Sequence, residues 1–475
     1  MTLSFEQCER ARRARDARYD GRFFTAVKTT GVYCRPVCPA RQPKRANVEY
    51  FPSAALAAQA GYRPCLRCRP ETAPRSPSWQ GTVSTVKRAL RLIHEGALVD
   101  EDTGGLAERL GVSDRHLRRL FEAHVGVSPQ AYALNHRLLF AKQLLAETGL
   151  PVIDVAFASG FRSRRRFNDA FRRQFMLPPS SVRQASQADG TDVVVRLRYR
   201  PPFDFQHLLR FFVARAVAGV EHVESDGYAR TFSLAEGHGW FHVFQSRGGD
   251  SALMVRLGFN QPTVLLPALQ RIRQIFDLDA APLEVRRALR RDAVLKALLR
   301  RSGVLRLPGA WSEFEALVRG VVGQQVSVKG ARTVLSRLCE RFGRPLDTPL
   351  GVWRVFPAAE ALADADLAAC GLTRSRADAV RGVARRYAEG FEVGDGELVD
   401  RVERLCSLPG IGPWTANLTC LRALQEPDAF PAGDLGIRKA LGMIGAPLQR
   451  VEARADAWRP WRGYAAMLLW HSLGD

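Results

Sequence analysis

Residues 405–418 read LCSLPGIGPWTANL, and twenty residues beyond Trp414 stands Asp434, in the stretch FPAGDLGIRKALG at 430–442. Gly410 and Gly412 permit a turn too tight for side chains between two helices, and Pro413, with no N–H to lose, suits the first turn of the second helix. Amides left open at that helix start can bind a phosphate without regard to base sequence. Such turns also join ordinary packed helices, and a lone Asp is most often a cap or a surface charge. The pairing of the turn with an Asp at this distance is what carries information.

Working outward, the sequence from about Pro308 to the end has helical periodicity, as in LPGAWSEFEALVRGVVGQQVSVKGA (307–331) and WRPWRGYAAMLLW (458–470). Before it the period changes to two. VVVRLRY (193–199), YARTFSL (228–234), WFHVFQS (240–246) and LMVRLGF (253–259) read as strands, with LLRFFVARAV (208–217) helical between them. A small antiparallel sheet with packed helices is the economical reading. Residues 82–177 read as all helix. Pro70–Gly81 and Pro178–Asp192, rich in Pro, Ser and small polar residues, read as linkers.

At 475 residues the chain is too long for one hydrophobic core. Four domains are expected: 1–75, a small zinc domain; 81–185, helical; 190–307, antiparallel α+β; and 308–475, all-α. The whole is multidomain and mainly α. Lys and Arg number 70 against 48 Asp and Glu, a net charge of +22, which points to a polyanionic partner, nucleic acid above all. Residues 1–75 alone hold 15 basic and 6 acidic side chains. No apolar run is long enough to span a bilayer and the N-terminus lacks the apolar stretch of a signal peptide, so a cytoplasmic, nucleoid-associated chain with no membrane partner is expected.

Nine cysteines are an odd number, against a disulfide framework. Four of them form two close pairs, Cys34 with Cys38 and Cys65 with Cys68. Two such pairs on separate turns are what a tetrahedral four-thiolate Zn(II) site requires. One zinc per chain follows, and sites of this kind usually only staple a fold. Cys339, Cys370, Cys406 and Cys420 lack the tight spacing of an iron–sulfur loop and read as ordinary buried thiols.

In the helical middle, GGLAERLGVSDRHLRRLFEAHVGVSP (104–129) has the form helix, glycine turn, Ser113 as N-cap, then a basic helix. The plan repeats in VIDVAFASGFRSRRRFNDAFRRQF (152–175), with Ser163 as cap and Arg164, Arg165 and Arg166 opening the second helix. Leu117, Leu120 and Phe121, and Phe167, Phe171 and Phe175, fall at helical spacing and are assigned to the core. Arg118, Arg164 and Arg165 are left to face a DNA groove.

These motifs carry three resemblances. FFTAVKTTGVYCRPVCPAR (23–41) with GYRPCLRCRP (61–70) resembles the methylphosphotriester-repair domain of the Ada-type regulators. That likeness implies that Cys34 is both zinc ligand and methyl acceptor and that Thr30, Arg41 and Arg63 contact DNA; a family arginine position holds Pro39. The paired helical units resemble the AraC-type DNA-binding module, which usually has glycine where this chain has Met176. Residues 192–475 resemble the AlkA type of 3-methyladenine DNA glycosylase, within the helix-hairpin-helix superfamily. The Pro-Cys-His motif of the alkylguanine transferase that follows in typical Ada chains is absent.

The AlkA resemblance implies catalysis by Asp434, with Gln325, where the best-known pattern has leucine, filling the gap left by a flipped nucleotide. Trp414 and Trp470 would be base-pocket walls, a place in the core being the alternative for each. Strand-cutting relatives carry a nucleophilic lysine where this chain has Trp414, so a monofunctional glycosylase leaving an abasic site is expected. The expected partners are alkylated double-stranded DNA, promoter DNA and, for an activator, RNA polymerase. The competing reading is a transcription regulator with a zinc sensor, its glycosylase-like half a catalytically inactive DNA clamp.

Overall fold

Aromatic and β-branched residues in the first 65 positions build a four-stranded sheet, in the order Val48–Phe51, Phe24–Val27, Val32–Cys34, Arg63–Pro64. This computed structural model describes residues 3–65, 67–68, 70, 73, 84–99, 101–183, 193–246, 250–301, 305–349 and 351–473. Strands Val32–Cys34 and Arg63–Pro64 run parallel, with Val32 opposite Arg63, and Cys65 N–H donates to Tyr33 O at 2.9 Å. The sheet therefore delivers the two cysteine pairs to one end. Helix Phe5–Arg13, started by a Ser4 capping box with Gln7, closes one side of this head, and helix Ala54–Gln59 packs on its strands.

Two helix-turn-helix units follow. Thr103–Arg109 and Asp114–His124 form the first, Val152–Ala158 and Arg164–Phe175 the second, joined by the 19-residue helix Pro129–Glu147. Ser113 caps as expected, accepting from His116 N–H at 3.2 Å. Ser163 occupies the matching position, but its side chain makes no capping bond. Leu117, Phe121, Phe167, Phe171 and Phe175 are buried, and Leu120 is half-buried against the core that holds Leu117 and Phe121. Met176 takes the left-handed conformation, φ 56°, that family glycine would adopt without penalty, so the turn is kept at the expense of about 1 kcal/mol.

The α+β unit is a five-stranded antiparallel sheet, in the order Val193–Arg198, Ala252–Phe259, Gly237–Gln245, Gly227–Leu234, Glu221–Val223. Four of its strands are those read from period two; the edge strand Glu221–Val223 is too short to show a period. Val193, Val195 and Leu197 alternate inward with half-buried neighbours, the pattern of a sheet covered on one face. Helices resume earlier than the expected Pro308. Leu265–Ile275, Pro282–Leu289 and Ala293–Arg301 precede the final unit, and Ala293–Arg301 packs on its last helix, Arg462–His471.

That final unit is helical from Glu313–Gly323 to Arg462–His471, interrupted by a two-stranded hairpin, Pro345–Thr348 with Gly351–Arg354, that helical periodicity had given no sign of. Its first helix is tied to the sheet by buried charges. Arg230 meets Glu315 at 2.8 Å and Arg319 meets Glu221 at 2.5 Å. Burial pushes the Glu221 carboxyl up, but Arg319 and Arg230 outweigh it and hold it at about 2. The helical middle is bolted to the same half through Asp395, which pairs with Arg91, on the preceding helix Ser84–Glu95, at 3.0 Å and with Arg109 at 3.2 Å. Of the expected linkers, Pro70–Gly81 falls almost wholly outside the described residues. Pro178–Asp192 begins instead with a 3-10 turn, Pro179–Val182, that buries Pro179 and Val182; its remainder is likewise not described.

Candidate active site and metal centre

In the C-terminal unit, helices Leu398–Cys406 and Pro413–Arg422 meet at the expected turn. Gly410 has φ +73°, and a Cβ there would stand 2.4 Å from that of Ala379, so glycine is required twice over. Gly412 differs: its φ is −98° and a Cβ would meet nothing within 4 Å. It is the exposed N-cap of helix Pro413–Arg422, with no side chain to cap the helix's first amides. Gly410→Ala is expected to lower the unfolding midpoint of this unit, strain and overlap together amounting to about 2–4 kcal/mol, and to weaken DNA binding in a titration at fixed salt.

The turn Gly323–Ser327, between helices Glu313–Gly323 and Val328–Phe342, leans on this hairpin. Gln324 Nε2 donates to Gly410 O and Thr415 Oγ1, both at 3.2 Å, and Arg376 donates to Gln324 O. Next to it Gln325 is exposed with φ +53°, a conformation a glutamine adopts only when its surroundings impose it.

Asp434 is the N-cap of helix Leu435–Ala440, its Oδ1 accepting from Ile437 N–H at 2.9 Å. The ordinary reading of a lone Asp thus holds, and the structure adds two unforeseen donors. Trp470 Nε1 donates to Oδ1 at 2.9 Å, and Trp414 Nε1 donates to Oδ2 at 2.9 Å. Both indoles had been expected to act as pocket walls; their resolved contact is with the carboxylate itself. All three side chains are half-buried. A carboxylate offers about four lone-pair sites; with three filled, the group is fixed in position and one site stays open.

Each indole bond to an ionised group is worth about 1.5–3 kcal/mol. Trp414→Phe and Trp470→Phe, which keep the ring and delete the donor, are therefore expected each to slow a step that depends on Asp434 by roughly 10- to 100-fold, measured in single turnover, with little change in melting temperature.

A cavity of about 960 Å³ lies elsewhere, where Arg91, His94, Tyr132, Arg273 and Tyr464 from different units meet; Asp434 is not on its wall. It is the gap between docked units. Among the other cysteines, Cys339, Cys370 and Cys420 are buried as expected, whereas Cys406 is half-exposed. Burial pushes the Cys420 thiol up to about 12, far from a nucleophile's range.

At the N-terminal head the Sγ atoms of Cys34, Cys38, Cys65 and Cys68 all lie within 4.8 Å of one another. Tetrahedral thiolates at a Zn–S distance of about 2.3 Å stand roughly 3.8 Å apart, so the set fits one zinc ion. Cys65 and Cys68 are buried, Cys34 and Cys38 half-buried. Arg35 N–H donates to Cys68 Sγ at 3.3 Å and Arg67 N–H to Cys65 Sγ at 3.4 Å. Ala40 N–H serves Cys38. Among the described residues no backbone N–H donates to Cys34. Thr30 and Arg63 are exposed at the edge beside it, Arg63 N–H donating to Gly31 O at 2.8 Å, and Arg41 is exposed on the loop after Cys38. Arg164 and Arg165 are exposed on the second unit; Arg118 is exposed but pairs with Asp114 at 3.0 Å.

Four family models match the chain in order: the metal binding domain of Ada at residues 7–71, a helix-turn-helix domain at 106–185, the AlkA N-terminal domain at 194–312, and the HhH-GPD superfamily of base excision DNA repair proteins at 318–462. A Mycobacterium tuberculosis protein named as a probable bifunctional transcriptional activator/DNA repair enzyme AlkA is 39% identical over 485 residues, spanning 100% of this chain and 97% of its own length. DNA-3-methyladenine glycosylase 2 of Escherichia coli is 34% identical over 58% of this chain and 97% of its own length. The bifunctional transcriptional activator/DNA repair enzyme Ada of Escherichia coli is 39% identical over 28% of this chain and 36% of its own length. The site and fold define a base excision repair unit joined to a zinc-bearing regulator. The chain belongs to the family of Ada–AlkA fusion proteins that the mycobacterial protein represents, and its four-cysteine centre takes one zinc ion. No helix among the described residues is long and apolar enough to cross a membrane.

Proposed function

We propose that this chain excises alkylated bases such as 3-methyladenine from double-stranded DNA at Asp434, and accepts a methyl group from DNA methylphosphotriesters at Cys34. The observation that carries the first part is the carboxylate held by three N–H donors beside a helix-hairpin-helix turn. In glycosidic hydrolysis the C1′–N bond breaks with its electron pair going to the base, and the sugar turns positive. Asp434 presents a fixed negative charge to that sugar, and its remaining lone pair can orient the water that attacks C1′ and then loses its proton. An alkylated purine is already cationic and leaves as a neutral base, so no second carboxylic acid is needed.

The amides at Gly410 and Gly412 hold the backbone, Gln325 fills the space of the extruded nucleotide, and Trp414 and Trp470 flank the flipped base as they aim the carboxylate. With an indole at position 414 there is no amine to form a Schiff base, and the product is an abasic site in an uncut strand.

For the second part the support is the uneven hydrogen bonding of the sulfurs. Every N–H donated to a thiolate takes up negative charge; Cys34, given none by the described residues, is half-exposed and keeps the most. Zinc held by Cys34, Cys38, Cys65 and Cys68 would keep all four sulfurs ionised. Thr30, Arg41 and Arg63 would hold the DNA backbone around it, and Arg118, Arg164 and Arg165 the promoter, from which an activator recruits RNA polymerase. The four units correspond to 1–75, 81–185, 190–307 and 308–475. Free base released from methylated duplex DNA, resolved chromatographically, is the test; release that stops with Asp434→Asn is the expected result, and no release by the native chain would overturn the reading.

A further inference from the structure

We infer that Arg376 and Gln324 are positioning residues for nucleotide extrusion, a role that rests on the reading of Gln325 as the side chain that fills the space of the extruded nucleotide. Arg376 selects the peptide orientation that aims Gln325, and Gln324 ties that aim to the hairpin and to the support of Asp434. Gln324 has φ −60° and ψ 121°, Gln325 has φ 53°, and Val326 N–H donates to Gly323 O at 3.4 Å. These are the features of a type II turn, whose third position favours glycine because φ is positive there. A glutamine fits the type I form better, in which φ at that position is negative and the peptide between the two central residues is rotated by about half a turn.

One contact separates the two forms. The peptide that rotates is the one bearing the Gln324 carbonyl, and in the observed form that oxygen accepts from the guanidinium of Arg376, half-buried in the first turn of helix Arg374–Ala388. In the type I form the oxygen turns away and the bond is broken. Arg376 therefore offsets the strain at Gln325 and decides where its side chain projects.

The Gln324 side chain supplies the second tie. Its Nε2 bridges Gly410 O, in the hairpin, and Oγ1 of the buried Thr415, each at 3.2 Å. Thr415 directly follows Trp414, whose indole donates to Asp434. Helix Arg374–Ala388 closes the frame: Ala379, three residues past Arg376, is the residue that a side chain at Gly410 would strike, and Pro409 would be struck from Gly382 at 2.9 Å. Gln325, the hairpin amides and the carboxylate are thus set on one frame, so that the gap is filled in register with the grip on the backbone. A misaimed Gln325 lets a displaced base return to the stack. That failure matters most for a paired base and least for one already unpaired.

The test measures single-turnover base release by the full-length chain on two duplexes, one with 3-methyladenine in a base pair and one with it opposite an abasic site. The native protein is compared with Gln325→Ala, Arg376→Met, Arg376→Lys and Gln324→Glu, which keeps the shape but sets an oxygen against the Gly410 carbonyl; melting temperature is recorded for each. Arg376→Met and Gln324→Glu are expected to slow release from the paired duplex by about 10- to 100-fold, as a small misplacement does, and from the unpaired lesion by less than about threefold, the pattern also expected of Gln325→Ala. Arg376→Lys, which can still donate to the carbonyl, recovers most of the rate. Should Arg376→Met not fold, Gln324→Glu carries the comparison. Equal slowing on both duplexes overturns the inference, because a general loss of structure or of catalysis takes no account of pairing. Native rates in Arg376→Met and Gln324→Glu beside a slowed Gln325→Ala remove the inference alone; a native paired-duplex rate in Gln325→Ala, or no release by the native chain, removes the underlying reading with it.

Discussion

Asp434→Asn is expected to slow base release by at least about 10²- to 10³-fold while leaving binding to alkylated duplex DNA intact or tighter. The substitution is nearly isosteric. The amide oxygen can still accept from Ile437 N–H, so the helix Leu435–Ala440 keeps its start. Two things are lost: the negative charge beneath the sugar, and an acceptor for one of the two indoles, because the amide NH2 faces a donor where Oδ2 had accepted from Trp414. Neither loss touches the hairpin amides proposed to hold the backbone. A passive clamp predicts the opposite, since a clamp has no use for the charge: native and variant chains would release base equally, or neither would release any.

Cys34→Ser is expected to abolish methyl transfer completely and to raise promoter affinity without any exposure to damaged DNA. A serine hydroxyl is not ionised at neutral pH, so no nucleophile remains, and the centre carries three thiolates with a nominal charge of minus one. That is the charge of the methylated centre. If charge is the signal, the variant imitates the repaired state, and its affinity for promoter DNA, measured at matched zinc content and salt, should approach that of the methylated native chain. A centre that only staples the head predicts no such gain.

How much of this was legible beforehand depends on how far apart in sequence the interacting residues are. The cysteine pairs, the glycine turns and the Ser113 cap are local, and each could be read from a few consecutive residues. Asp434 is singled out because a hairpin followed by an Asp at that distance resembles the helix-hairpin-helix glycosylases. Its partners could not be found that way: Trp414 and Trp470 are 20 and 36 residues away, and at each the choice between pocket and core hid a third option, an N–H aimed at the carboxylate. The edge strand Glu221–Val223 and the hairpin Pro345–Thr348 with Gly351–Arg354 are too short for periodicity to register. Docking of Arg91 and Arg109 on Asp395 joins surfaces that are separately ordinary. Local chemistry was readable; long-range pairing was not.

One reaction tests the central claim, that a single chain both takes a methyl group once and removes bases repeatedly. The intact protein is incubated with an excess of duplex DNA carrying methylphosphotriesters and 3-methyladenine; released base is quantified and the Cys34 peptide is weighed from the same tube. The expected result is a Cys34 peptide heavier by one methyl group per chain, free base in molar excess over protein, and strands that stay whole until alkali is added. No free base together with a Cys34 peptide of unaltered mass would contradict it.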